Sequence, residues 1–162
     1  MVEVINPEGH VRLHWTHPDV SSIHGYIAYY HDPELDPSPG IPFDTIYQPG
    51  EMNLVDQSGR ANTEPVPYKI AAFRIIDGNF HTSPQTNPHY TIYTRHAYDT
   101  CNSHISLSWS PYRGWENIQY YEVLQDGNPI QQLNDTVFTV NQLPDNALLN
   151  FSIRAVKEPG TG

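Results

Sequence analysis

The sequence predicts an all-β chain made of two tandem antiparallel β-sandwiches. A six-residue pattern occurs twice, as His10–Trp15 and again as His104–Trp109. In both copies polar and apolar residues alternate and a tryptophan ends the run, which is the period of a half-buried strand. A second pattern, aromatic-x-Ile-x-Ala-apolar, also occurs twice, at Tyr68–Phe73 and Phe151–Val156. This double repeat predicts two similar all-β units in the same chain.

Six strands are predicted in the first half from alternation and from β-branched and aromatic content. They are Val2–Ile5, His10–Thr16, Gly25–His31, Phe43–Tyr47, Asn53–Asp56 and Tyr68–Ile75. His31–Gly40 is predicted to be an exposed loop, because it carries too many prolines for the interior of a sheet. Gln57–Pro67 is predicted to be a second loop.

The boundary between the units is predicted near residue 88, which gives domains 1–88 and 89–162. His81–Pro88 is polar and contains prolines, and His89–Thr94 alternates again, which indicates a short linker before the next unit. Further predicted features are the strands His104–Trp109, Tyr121–Val123, Asp135–Val140 and Leu149–Val156, and a hairpin turn at Gln125–Asn128. The sequence stops at Gly162 before a last edge strand of the second unit, so we expect a piece of a longer protein.

Composition excludes several classes of function. The chain of 162 residues carries 18 acidic and 8 basic residues, a net charge of −10, which repels nucleic acid and anionic membranes. No apolar run approaches the ~20 residues that span a bilayer, and no signal peptide follows Met1. The single cysteine, Cys101, cannot form an intrachain disulfide and is expected to be a free thiol.

Two sets of residues are candidates for metal binding. His10 and His14 lie with Arg12 on one strand face, but residues four apart on a strand are too distant to chelate one ion without help from a neighbouring strand. Asp32, Glu34 and Asp36 alternate in the proline loop without the glycine and glutamate of an EF-hand. Solvated side chains are expected in both sets, so the sequence predicts no metal and no cofactor.

The sequence predicts no enzyme. It contains neither Gly-x-Ser-x-Gly nor a glycine-rich phosphate loop. The candidate ligand-binding residues are instead Tyr112, Trp115 and Tyr120, because aromatic rings near one turn could stack on a sugar. The alternative is structural: Tyr121 in the core, and Trp115 packed over the loop or against the first unit.

The tryptophan-bearing second strand, the Tyr-x-Val third strand and the aromatic-x-Ile-x-Ala strand together resemble the fibronectin type III module, an immunoglobulin-like sandwich, twice over nearly the whole chain. In that family a tyrosine six residues after a leucine bonds across a corner of the sandwich. Here Leu143 is followed by Leu149, and Val66 stands at the matching place in the first unit. The resemblance therefore implies the fold without that corner bond.

Three further segments, Asn87–Tyr93, Cys101-Asn102 and Leu107–Trp115, are similar to tandem modules of Bacteroidetes cell-surface proteins that often precede a gliding-motility-type C-terminal domain. The resemblance implies export and cell-surface display in a multidomain adhesion protein. Such relatives often carry a second cysteine at about the place of Asn150, so their disulfide is not available to Cys101. Asp44-Thr45-Ile46 and Asp135-Thr136-Val137 resemble O-glycosylation sites of that lineage, and equally fit strand-edge threonines.

These observations predict a non-enzymatic extracellular spacer or adhesion module pair within a larger bacterial surface protein. Its expected partners are other domains of the parent chain and surface glycans or proteins. The alternative function is a carbohydrate-binding module that uses Tyr112 and Trp115, and it requires those rings to be exposed and roughly coplanar. A eukaryotic receptor ectodomain ranks below both, because paired cysteines would be expected there.

Overall fold

The first unit, Met1–Thr91, contains two antiparallel sheets. The computed structural model describes residues 1–17, 19–32, 40–141, 143 and 148–158 of the chain. A three-strand sheet has the order β1-β2-β5, and a second sheet has the order β4-β3-β6-β7, with β8 also paired to β6. The strands are β1 (Val2–Val4), β2 (Val11–His14), β3 (Gly25–Tyr30), β4 (Ile41–Ile46), β5 (Asn53–Asp56), β6 (Pro67–Ile76), β7 (Asn79–Thr82) and β8 (His89–Tyr90).

The second unit, Ile92–Gly162, repeats this arrangement with fewer strands among its described residues. One sheet has the order β13-β10-β9, and the other has the order β12-β11-β14. The strands are β9 (Thr94–Asp99), β10 (His104–Trp109), β11 (Ile118–Gln125), β12 (Asn128–Leu133), β13 (Val137–Val140) and β14 (Phe151–Lys157). The predicted all-β class is confirmed, since the described elements are strands apart from one 3₁₀ turn at Arg60–Asn62. In the described part, no helix is long and apolar enough to cross a membrane.

The pairing register is the same in the two units. Tyr26 on β3 pairs with Ala72 on β6, and Tyr121 on β11 pairs with Ala155 on β14. In the other sheet Leu13 pairs with Leu54, as Leu107 pairs with Phe138. A shift by one residue would move every side chain to the opposite face, so a shared register means that equivalent residues line the two cores.

One aromatic pair joins the two sheets within each unit. The rings of Trp15 and Tyr26 meet edge to face, with centroids 5.1 Å apart and planes at 69°. Trp109 and Tyr121 repeat the contact at 5.7 Å and 70°. The geometry is favourable for aromatic quadrupoles. The tryptophan at the end of each repeat therefore packs on the equivalent tyrosine, which lies on the next strand of its own unit.

Each unit buries a hydrophobic core of its own. The first core contains Val11, Leu13, Ala28, Ala61, Val66 and Tyr68, and the second contains Leu107, Trp109, Tyr121 and Val123. Val11 and Leu13 on β2, and Leu107 and Trp109 on β10, reach these cores because apolar and polar residues alternate along the two strands, as the sequence repeat predicts. Burial of this apolar area is the main force that stabilises each unit.

Residues 79–91 lie along the outer edge of β6, where the sequence predicted a linker followed by a strand of the second unit. Ser83 donates its N–H to the Ala72 carbonyl, and the Ala72 N–H donates to Ser83 Oγ, at 2.9 and 3.0 Å. Thr86 makes the same exchange with Ile70, and Thr91 with Val66. A hydroxyl replaces one carbonyl of an ordinary strand pair, and a polar, proline-bearing segment can therefore cover a sheet edge. The first unit ends at Thr91, three residues after the predicted boundary.

Candidate functional site

Tyr112 and Trp115, two of the predicted ligand-binding residues, follow β10 in the loop that leads to β11. Their ring centroids are 4.7 Å apart and their planes are inclined at 46°. Tyr112 packs against the second core, and its backbone N–H donates to the Tyr121 hydroxyl at 2.9 Å. Burial raises the pKa of the Tyr112 phenol. Both residues are half-buried, so the two rings form an inclined pair and not one flat exposed surface.

Tyr120, the third predicted residue, lies on β11 next to Tyr121. Side chains of consecutive strand residues point to opposite faces, so Tyr120 lies on the face away from Tyr121 and the core. Glu122 shares that outer face and accepts hydrogen bonds from Arg154 and Gln132, which lower the pKa of its carboxyl. The structure therefore joins Tyr112 to Trp115 and places Tyr120 beside an ion pair on the other face of the sheet.

The first unit contains a buried carboxylate, Asp56, at the end of β5. Its side chain accepts hydrogen bonds from the hydroxyls of Tyr68 at 2.7 Å and Tyr30 at 2.9 Å, and from the N–H of Ser58 at 2.8 Å. Burial alone would raise the pKa of Asp56, but the bonds from Tyr68, Ser58 and Tyr30 outweigh it and lower the pKa below its usual value. The carboxylate is therefore held in its charged form.

A cavity of about 280 Å³ lies beside this network, between the ends of β3 and β6. Tyr30, Arg60 and Glu64 line it, and the Arg60 guanidinium lies 4.7 Å from the centroid of the Tyr30 ring. Arg60 also pairs with Glu64 at 3.4 Å. Pockets for small molecules commonly have volumes of about 300–1,000 Å³, so this one is small for an organic ligand.

The histidine and acidic candidates for a metal site are placed apart. Asn6 Nδ2 donates to His10 Nδ1 at 2.9 Å, and His14 Nδ1 donates to Asn53 Oδ1 at 2.9 Å, so each ring has an amide partner of its own. Glu34 and Asp36 lie outside the described residues. Within the part of the chain that the structure describes, no group of three His, Cys, Asp or Glu side chains is arranged to hold a metal ion.

Cys101 is exposed, and in the two Asp-Thr segments the aspartates are exposed while Thr45 and Thr136 are half-buried. Cys101 lies in the turn between β9 and β10, where its backbone N–H donates to Asp99 Oδ1 at 2.9 Å. Asp44 and Asp135 each accept, through Oδ1, the N–H of the threonine that follows, both at 2.7 Å. The two Asp-Thr segments therefore share this hydrogen bond, although Asp44 and Thr45 lie within β4 and Asp135 and Thr136 form a bend before β13.

Sequence reasoning missed the Asp56 network. Asp56 follows Leu54 by two positions, and Leu54 packs against the first core, so the alternation of β5 places a carboxylate on the core side. A charged residue on that side requires hydrogen-bond partners, and tyrosines on β3 and β6 are suitable donors. That alternation was a usable signal, although it does not identify Tyr30 and Tyr68 as the partners.

The sequence matches no protein-family model, and no curated protein matches it significantly. The chemistry of the side chains is therefore the basis for proposing a function. Asp56 is enclosed by donors that belong to the fold, and Glu122 is paired with Arg154. Both carboxylates have structural partners, and the half-buried pair Tyr112 and Trp115 remains as the candidate for binding.

Proposed function

We propose that this chain is a pair of fibronectin type III-like modules that serves as a non-enzymatic spacer or adhesion module in a larger bacterial surface protein. The observation that carries the proposal is the repetition of one strand order and one register in two units with separate cores. Antiparallel sandwiches of about seven strands are a common architecture of cell-surface modules. Repetition of a small module with its own core suits a role that depends on the length of the chain and on the exposed surface of each module.

The sequence resemblance to Bacteroidetes surface modules supports the same role. It implies export and display outside the cell, with the other domains of the parent chain as neighbours. Surface glycans or proteins are the proposed external partners, and a net charge of −10 argues against nucleic acid. Contacts would come from exposed loops and strand edges, because these carry recognition in sandwich folds.

A spacer made of two separate modules should unfold in two steps under force. Fully extended chain spans roughly 3.3 Å per residue, so unfolding Met1–Thr91 and Ile92–Gly162 should release roughly 300 and 230 Å of contour, less the folded lengths. Single-molecule force spectroscopy of the chain between handles would measure both steps. A single step that releases the whole length would contradict the proposal, because the units would then unfold as one body.

The second candidate function is carbohydrate binding through Tyr112 and Trp115. Their rings are in contact, but the 46° inclination and the half-burial of both residues depart from the coplanar, exposed surface that this function requires. We expect any saturable glycan binding of the chain on an array to be lost in Trp115→Ala and retained in Phe80→Ala, a matched change of an exposed aromatic residue in the first unit. Binding that survives Trp115→Ala would exclude this site. Binding to matrix proteins that survives both changes would favour the adhesion role.

A further inference from the structure

The same turn sequence, Asp-Gly-Asn, closes one hairpin in each unit. Asp77-Gly78 joins β6 to β7, and Asp126-Gly127 joins β11 to β12. The aspartate φ is 51° in both turns, and the glycine φ is 79° in the first and 81° in the second. Strand pairing stops at the residues on either side of each turn, so the glycine N–H groups lie outside the ladders. The two turns therefore form a matched pair.

Asp-Gly is a reactive sequence because the glycine nitrogen can attack Cγ of the aspartate. The new N–Cγ bond closes a five-membered succinimide, and one oxygen of the carboxyl group leaves as water. Water then opens the ring at either carbonyl, which gives aspartate again or isoaspartate, whose main chain runs through Cβ and Cγ. The reaction needs no oxidant and no cofactor. Glycine favours the attack because it has no Cβ, and nothing lies within 4 Å of the place of a Cβ at Gly78 or Gly127.

The two aspartates differ in the partners of their carboxylates. Asp126 Oδ1 accepts hydrogen bonds from the backbone N–H and from Nδ2 of Asn150, at 3.1 and 3.4 Å. The Asp77 carboxylate makes no hydrogen bond or ion pair with the described residues, since the bond from Asn79 Nδ2 goes to the Asp77 backbone carbonyl. Attack requires Cγ to move toward the glycine nitrogen. At Asp126 this movement breaks the bonds to Asn150, and at Asp77 it breaks none.

The two hairpins also differ in how much they bury. All four residues of β7 are exposed, and β7 pairs only with β6 among the described strands. β12 has six residues, and its Leu133 packs against the second core. Closure of the succinimide changes the backbone at the aspartate, so the tip of the hairpin has to open. Local opening costs least free energy where few buried contacts are lost, which favours the reaction at Asp77.

We propose that Asp77-Gly78 is a site of spontaneous isoaspartate formation, and that the bonds from Asn150 protect the equivalent Asp126-Gly127. Isoaspartate adds one carbon to the main chain between Ile76 and Asn79, which are paired in the unmodified hairpin. The modification therefore breaks the register of β7 at the end of β6 and places a free carboxylate on the backbone there. This inference does not depend on the proposed spacer or adhesion role.

The test is an ageing experiment on the full chain at neutral pH and physiological temperature. Isoaspartate is labelled with an isoaspartyl methyltransferase and a labelled methyl donor, and peptide mapping by mass spectrometry locates it. We expect product at Asp77 to accumulate about tenfold faster than at Asp126, the factor that corresponds to the loss of one hydrogen bond to a charged group. Asp77→Gly should remove the main signal, because it lacks the carboxyl group and suits a turn with positive φ.

The same measurement in denaturant separates structure from sequence. In the unfolded chain the bonds from Asn150 are absent, so the two Asp-Gly sites should react at similar rates. Three outcomes would overturn the proposal. They are equal rates at the two sites in the folded chain, a faster reaction at Asp126, and a preference for Asp77 that persists unchanged in denaturant, because neighbouring residues and not the fold would then set it.

Discussion

Replacing Asp56 with alanine is expected to destabilise the first unit by about 3–5 kcal/mol and to leave the second unit unchanged. The variant removes the acceptor of the Tyr68 and Tyr30 hydroxyls and of the Ser58 N–H. Tyr68 is only 2% exposed, so water cannot take the place of the carboxylate without opening the core. The cost combines the Tyr68 hydroxyl, which stays buried without its acceptor, with the lost charge-assisted bonds of the half-buried Tyr30 hydroxyl and the exposed Ser58 N–H.

Hydrogen exchange measured separately for each unit would test this expectation. Exchange of core amides in residues 1–91 should accelerate by about two to four orders of magnitude, and that in residues 92–158 should not change. The matched control is Asp44→Ala, since Asp44 is exposed and its hydrogen bond to Thr45 is local. Equal effects of the two variants would show that the Asp56 network contributes little.

The Asp56 carboxylate should also make the stability of the first unit fall in acid. The pKa of Asp56 is lower in the folded than in the unfolded chain. The contribution of its carboxylate to the free energy of unfolding is therefore complete above the unfolded-state pKa of about 3.9 and is lost as pH falls through the folded-state pKa. The Asp56→Ala variant should lose this part of the acid sensitivity. A smaller acid sensitivity should remain in this variant, since hydrogen bonds from Ser21 also lower the pKa of Asp19.

Strands with one buried face were predictable from the sequence, whereas among the exposed edge strands β1 was predicted and β7 and β9 were not. β5 and β10 begin and end where alternation predicts. β7 was missed because all four of its residues are exposed, and β9 because four of its six residues are exposed and none is buried. An Asp-Gly turn was read correctly at Asp126-Gly127, and the same signal at Asp77-Gly78 would have located the hairpin that contains β7.

The candidate sites divide along similar lines. The contact of Tyr112 with Trp115 was predictable because the residues lie three positions apart in one loop. Tyr120 was grouped with them by sequence distance alone, although strand alternation turns it to the other face. The Asp56 network joins residues from three strands, β3, β5 and β6, and no local pattern reports such distant neighbours. The sequence did not predict that Ser83 and Thr86 cover the β6 edge, because these contacts also join residues that no local pattern connects.

Trp109→Ala is expected to cost the second unit about 3–5 kcal/mol, the usual range for removing a large aromatic side chain from a core. Trp109 is 6% exposed and packs edge to face on Tyr121, whose hydroxyl holds the Tyr112 N–H. A unit of this size has roughly 4–10 kcal/mol of total stability, so the variant should be partly unfolded at moderate temperature. Thermal or denaturant unfolding, with hydrogen exchange to assign each transition to a unit, would measure the destabilisation.

The repeat supplies the matched comparison, because Trp15 occupies the equivalent position and packs in the same way on Tyr26. Trp15 is only half-buried, and the cost of truncating an aromatic side chain grows with the apolar area that it buries. Trp15→Ala should therefore destabilise the first unit by less than Trp109→Ala destabilises the second. The reverse order would contradict the expectation that buried apolar area sets the cost, and would mean that the two cores depend on different residues despite their common register.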